Sequence, residues 1–169
     1  MEIDQRGQLG PLLSDMSVPD FRLPTSVMAA VYALSAGKYD SCYLDVEVDN
    51  SGITYKFWWL QGDVIGWVTA SSSDIDWQHR PLREEPEDAK TDAQLRRIGD
   101  IERIELAELK VWQDGFQTGV LSVDAPIRLA FRQGDGLALG DRDPRNAAGR
   151  EKRDAFVKAV MKAFGATRP

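Results

Sequence analysis

The sequence predicts an α+β protein, a mainly antiparallel sheet or roll of about seven strands in a 3+4 arrangement, with a short amino-terminal helix and a long carboxy-terminal helix packed on it. Three observations carry this expectation. Cys42, Leu44, Val46 and Val48 alternate with Tyr43, Asp45, Glu47 and Asp49, the period of a half-buried strand. Turn residues recur between apolar runs at Asn50-Ser51-Gly52, Gln61-Gly62-Asp63, Asp114-Gly115 and Gln133-Gly134-Asp135. Near the carboxy terminus Phe156, Val157, Val160, Met161 and Phe164 recur at helical spacing.

Taken in order, residues 1–24 hold Gly7, Gly10, Pro11, Pro19 and Pro24 with no sustained period, and read as an irregular arm ahead of a single domain at 25–169. A short helix follows from Thr25 or Ser26. Val27, Val31 and Leu34 share a face, the hydroxyl residues can cap its start, and Gly37 ends it. Three strands come next, broken by the turns at Asn50–Gly52 and Gln61–Asp63. Residues 71–91 are polar, contain Pro81 and Pro86 and the acidic run Glu84, Glu85, Glu87 and Asp88, and read as a long loop. Thr91-Asp92-Ala93-Gln94 matches a capping box and predicts a short helix to about Ile98. Residues 100–112 fit neither period cleanly, but Asp114-Gly115 makes them one arm of a hairpin with 116–123. Ile127, Leu129 and Phe131 alternate with Arg128 and Arg132, a short strand follows around Leu137 and Leu139, and the last helix is expected from about Gly149 to Phe164.

The composition is that of a globular chain: 169 residues, 43% apolar, 28% charged and a net charge of −6. One cysteine, Cys42, excludes an intrachain disulfide and gives no sign of an oxidising compartment. No basic segment followed by an apolar one opens the chain, and no run of about 18 apolar residues exists, so neither a secretory signal nor a membrane span is expected and the reading is cytoplasmic. The charge is unevenly spread. Residues 1–139 carry 13 Lys/Arg against 23 Asp/Glu, whereas residues 140–169 carry 8 against 4. The acidic body disfavours nucleic acid, which needs a basic surface, and favours a basic protein partner.

Most catalytic patterns are excluded by their chemistry. His79 is the only histidine and has no Cys or His at ligand spacing, so no zinc site is expected. Asp141-x-Asp143-x-x-Asn146 begins like a calcium loop, but Arg145 and Lys152 stand where an EF-hand needs oxygen ligands. Cys42 falls on the apolar side of its strand, as a small core residue does. There is no Gly-x-Ser-x-Gly elbow and no P-loop, and Gly134–Gly140 is one residue too long for a dinucleotide fingerprint. No cofactor and no enzymatic activity are expected.

Two surface features remain. Tyr43, Asp45, Glu47 and Asp49 lie beside a strand bearing Trp58 and Trp59, and consecutive indoles must point to opposite sides of a sheet. One is therefore expected under a helix or loop or at the surface, and an exposed aromatic among carboxylates is a candidate partner-binding face. The second feature is Arg142, Arg145, Arg150, Lys152 and Arg153 at the start of the last helix, where free backbone N–H groups favour an anion. That cluster is a candidate anion site. Its ordinary alternative is pairing with Asp141, Asp143, Glu151 and Asp154.

Tyr43-Leu44-x-Val46-Glu47-Val48, the turn Asp49–Gly52 and the aromatic strand Tyr55-x-Phe57-Trp58-Trp59 together resemble the small bacterial immunity proteins of the YezG-like kind, which neutralise polymorphic toxins. The likeness spans Lys38–Val68 and implies a non-catalytic protein that binds another protein in the bacterial cytoplasm. The strand order with a closing amphipathic helix also resembles a pleckstrin-homology-like roll. The basic first hairpin of that group's lipid-binding members is replaced here by Asp45, Glu47 and Asp49. A third likeness, in element order and acidity, is to dimeric secretion chaperones. The leading expectation is an immunity-type inhibitor of a basic toxin. The alternatives are a ligand-binding or enzymatic domain using Arg142–Arg153 and a chaperone-like dimer.

Overall fold

A computed structural model describes residues 23–79, 84–106, 110–113, 121–124, 126–134, 136–139 and 147–167. The expected arm at 1–24 lies almost wholly outside them. The fold is α+β, and the chain divides into two units, Met1–Arg96 and Arg97–Pro169.

The first unit opens with helix α1, Thr25–Ser35, which buries Val27, Met28 and Val31. Leu34, expected on the same face, is 37% exposed. The start of α1 is not capped by a local hydroxyl. Its first residue follows Pro24, and the N–H of Ser26 donates to Glu85 Oε1 at 2.5 Å, a carboxylate 59 positions away. The helix ends where Ala36, in the left-handed region at φ 52°, donates its N–H to Tyr32.

Strands β1 (Ser41–Asp49), β2 (Gly52–Gln61) and β3 (Val64–Ser72) follow as two hairpins in continuous antiparallel register. Cys42 faces Trp59, Leu44 faces Phe57, and Phe57 faces Val68, so alternate residues build one core layer under α1 with Tyr55, Trp59, Val68 and Ala70. Trp59 fits because its register partner is Gly66, whose absent Cβ would fall 2.2 Å from the indole. The opposite face is enclosed as well at Tyr43, Trp58, Leu60 and Ile65.

Two departures follow. The polar stretch after β3 is not simply a loop: a 3-10 turn at Ile75–His79 inserts Trp77, 4% exposed, edge-on against Tyr55. Lys90–Arg97 is not a helix but strand β4, the fourth strand of the sheet in the order β1-β2-β3-β4. A capping box contributes about 1 kcal/mol locally. With only Leu95 and Ile98 behind it and no apolar stripe, it loses to a ladder of hydrogen bonds offered by β3.

The second unit holds a short 3-10 turn at Ile98–Asp100, β5 (Ile101–Leu106), β6 (Lys110–Gln113), β7 (Leu121–Asp124), β8 (Ile127–Phe131), β9 (Leu137–Leu139) and helix α2 (Ala147–Ala166). A three-stranded antiparallel sheet runs β5-β8-β9, and β6-β7 form a separate two-stranded ribbon. The stretch that fitted neither period is thus two strands with different partners. Only the second belongs to the ribbon that brackets Asp114-Gly115, and that turn itself lies outside the described residues. On α2, Arg153, Phe156 and Val160 are buried, while Met161, expected in the apolar stripe, is 52% exposed.

Candidate functional site

The structure brings only part of the predicted partner-binding set together. Tyr43 and Trp58 face each other across β1 and β2 and stack, with ring centroids 5.3 Å apart and planes 7° from parallel. Both are buried, at 3% and 2% exposure, and Trp59, on the other side, is at 0%. Of the two expected positions for an indole, under covering chain or at the surface, both rings take the first: the sheet is covered on both sides at these positions, and each ring is a core residue. The carboxylates between them are also engaged. Glu47 pairs with Lys56 at 3.5 Å, and Lys56 is the register partner of Asp45. Asp49 holds the β1–β2 turn by accepting from the N–H and the hydroxyl of Ser51.

Of the predicted anion cluster, Arg142 and Arg145 lie outside the described residues, as does the calcium-like stretch from Asp141. Arg150 is half-buried and Lys152 exposed. Arg153 is 2% exposed, and its guanidinium donates through two nitrogens to Asp154 Oδ1, at 3.1 Å each. This guanidinium belongs to the helix packing face, in line with Phe156 and Val160. Cys42 is half-buried, and His79 is exposed at the end of the 3-10 turn.

A different set of residues forms a concave site. At the hairpin end of the four-stranded sheet a cavity of about 300 Å³ is lined by residues 51–54, by Ser71 and Ser72 at the end of β3 with Ser73 just past it, by Asp88, and by Lys90 at the start of β4. Register sets its floor, since Ile53 faces Ser72 and Thr54 faces Ser71. Gly52 is obligatory there: its φ is 142°, and a Cβ would stand 2.0 Å from the Ser72 carbonyl oxygen.

Asp88 closes the wall. Its carboxylate accepts from the Ser72 hydroxyl at 2.6 Å, the Ser73 hydroxyl at 2.6 Å and the Ser73 N–H at 2.7 Å. These donors, the Ser72 hydroxyl foremost, hold its pKa down at about 2. The sequence carries these residues as a serine run and an acidic run inside a polar stretch. Nothing in their spacing says that Asp88 returns to Ser72 and Ser73, which is a fact of strand placement. Comparisons with models of known protein families, with characterised proteins and with solved structures return no match. No helix among the described residues is long and apolar enough to cross a membrane.

Proposed function

We propose that this chain is a non-catalytic protein-binding module, an immunity-type inhibitor that occludes a basic bacterial toxin in the cytoplasm. The observation that supports it is the charge of the first unit. Met1–Arg96 carries 16 Asp/Glu against 8 Lys/Arg, and Asp63, Asp76, Glu84, Glu87 and Asp92 are exposed. Such a surface steers a basic protein toward it and repels nucleic acid. With Tyr43, Trp58 and Trp59 enclosed, the contact falls to the carboxylates rather than to the aromatic rings.

The test is binding to a basic toxin encoded beside this chain's gene, measured by calorimetry at low and high salt. Complex formation that weakens with salt, and at least tenfold with Glu84→Lys/Glu87→Lys, supports the reading. Affinity indifferent to salt and to both reversals, or no complex with any such toxin, overturns it.

A further inference from the structure

The cavity at the hairpin end of the sheet has a polarity that its composition alone does not reveal. A hydroxyl has one proton to give and two lone pairs to offer. Three of the hydroxyls here have already given theirs to carboxylates: Ser51 to Asp49, and Ser72 and Ser73 to Asp88. What Ser51 and Ser73 turn outward is therefore lone pairs. Ser72 uses one of its own on the N–H of Asp74. The part of the wall built by Ser51, Ser72 and Ser73 thus reads as a row of acceptors backed by two carboxylates. The Thr54 and Ser71 hydroxyls line the cavity beside it, and among the lining residues Lys90 alone is cationic. Its volume of about 300 Å³ is at the low end for ligand pockets and has room for one side chain.

We infer that this cavity is a receptor for a cationic donor group, the guanidinium or ammonium of an arginine or lysine side chain presented by the partner. The inference rests on the immunity-type reading and deepens it, since it places one anchor residue of the basic partner. A guanidinium fits the wall well, because its planar fork presents several donors to acceptors fixed by β-strand register.

The experiment is a titration of the 15N-labelled full chain with acetyl-arginine amide, and separately with inorganic phosphate. Expected are saturable shifts confined to the amides of Ser51, Gly52 and Ser71–Ser73 with the arginine derivative, and none with phosphate. Lys90→Ala should tighten that binding about two- to fivefold, the effect of one exposed like charge. Ser51→Ala/Ser73→Ala should abolish it, with thermal melting run alongside to show the variant folded. Phosphate shifting these amides while the arginine derivative does not overturns the inference. So do arginine shifts spread over the whole acidic surface and indifferent to Lys90→Ala. The two readings separate cleanly. A toxin complex weakened by Glu84→Lys/Glu87→Lys but untouched by Ser51→Ala/Ser73→Ala ends the anchor assignment and leaves the partner. Arginine binding here without any toxin complex does the reverse.

Discussion

The indole of Trp59 lies over the α-carbon of Gly66, its register partner on the neighbouring strand, so closely that a methyl group there would stand 2.2 Å from two ring atoms. The indole is fully enclosed beneath α1 and has nowhere to retreat. Gly66→Ala is therefore expected to destabilise the first unit by about 1–3 kcal/mol through overpacking. A urea midpoint lowered without a change in slope checks it, and a midpoint within error of the parent's counts against the close approach.

Removing a ring has a different signature. Trp58→Ala leaves Tyr43 without its stacking partner on a face that is closed to solvent, and should cost about 3–5 kcal/mol. Trp58→Phe keeps an aromatic face and should recover at least half of that. A cost below 1 kcal/mol for Trp58→Ala would mean that this side of the sheet is open in solution.

Asp88 sets an acid limb. Its carboxylate titrates at about 2 in the folded chain against an ordinary 3.8, so the charged form is favoured by folding. That contribution is complete above the ordinary value and disappears as pH falls through about 2. Asp88→Asn should be less stable than the parent at neutral pH, with the two curves converging as pH drops from 4 to 2. Parallel curves across that range would remove Asp88 as the source.

Tyr55 sets the opposite limb. Burial pushes its phenol above the ordinary tyrosine value, and its hydroxyl meets no hydrogen-bond partner among the described residues. Folding then favours the neutral form, so stability is intact below about pH 10 and declines above it as the unfolded chain ionises. Tyr55→Phe should be neutral to about 1 kcal/mol more stable at pH 7 and should flatten the decline above pH 10. A destabilisation of more than 1 kcal/mol would reveal a hydrogen bond that this hydroxyl makes in solution.

Arg153 offers a test of the second unit. Its guanidinium is enclosed on the packing face of α2, in line with Phe156 and Val160, with Asp154 as acceptor. Arg153→Met retains the volume and removes the buried charge, and should stay within about 1 kcal/mol of the parent or exceed it. Arg153→Ala leaves a void and should cost at least 2 kcal/mol. Equal losses in both variants would show that the charge rather than the packing matters.

These cases also show where the sequence is legible. The strand at Cys42–Val48 is readable because alternation fixes which side of a pleated chain is apolar, and the hairpins are readable because Gly52 and Gly62 occupy positive φ. The fate of the two indoles is not readable from Trp58 and Trp59 alone. Alternation says that they part, but what covers each side is decided by distant chain. Lys90–Arg97 misleads for the same reason, since its only strong local signal is a cap and its strand partner lies elsewhere. The acceptor-rich cavity is the extreme case: it exists only after Asp88 has returned to Ser72 and Ser73, and no short window holds both ends.

The bond between Glu85 and the Ser26 amide in the first turn of α1 joins positions 59 apart and has a bearing on synthesis. A ribosome that has delivered α1 and three strands has yet to supply the acceptor for that amide, the aspartate that ties down the end of β3, and the strand that flanks it. The nascent amino-terminal half must therefore wait, incompletely locked, until roughly one hundred residues have emerged, and at common elongation speeds of about 5–20 residues per second that wait lasts seconds. Chaperone capture or proteolysis of arrested chains should change sharply once Lys90–Arg97 clears the exit tunnel.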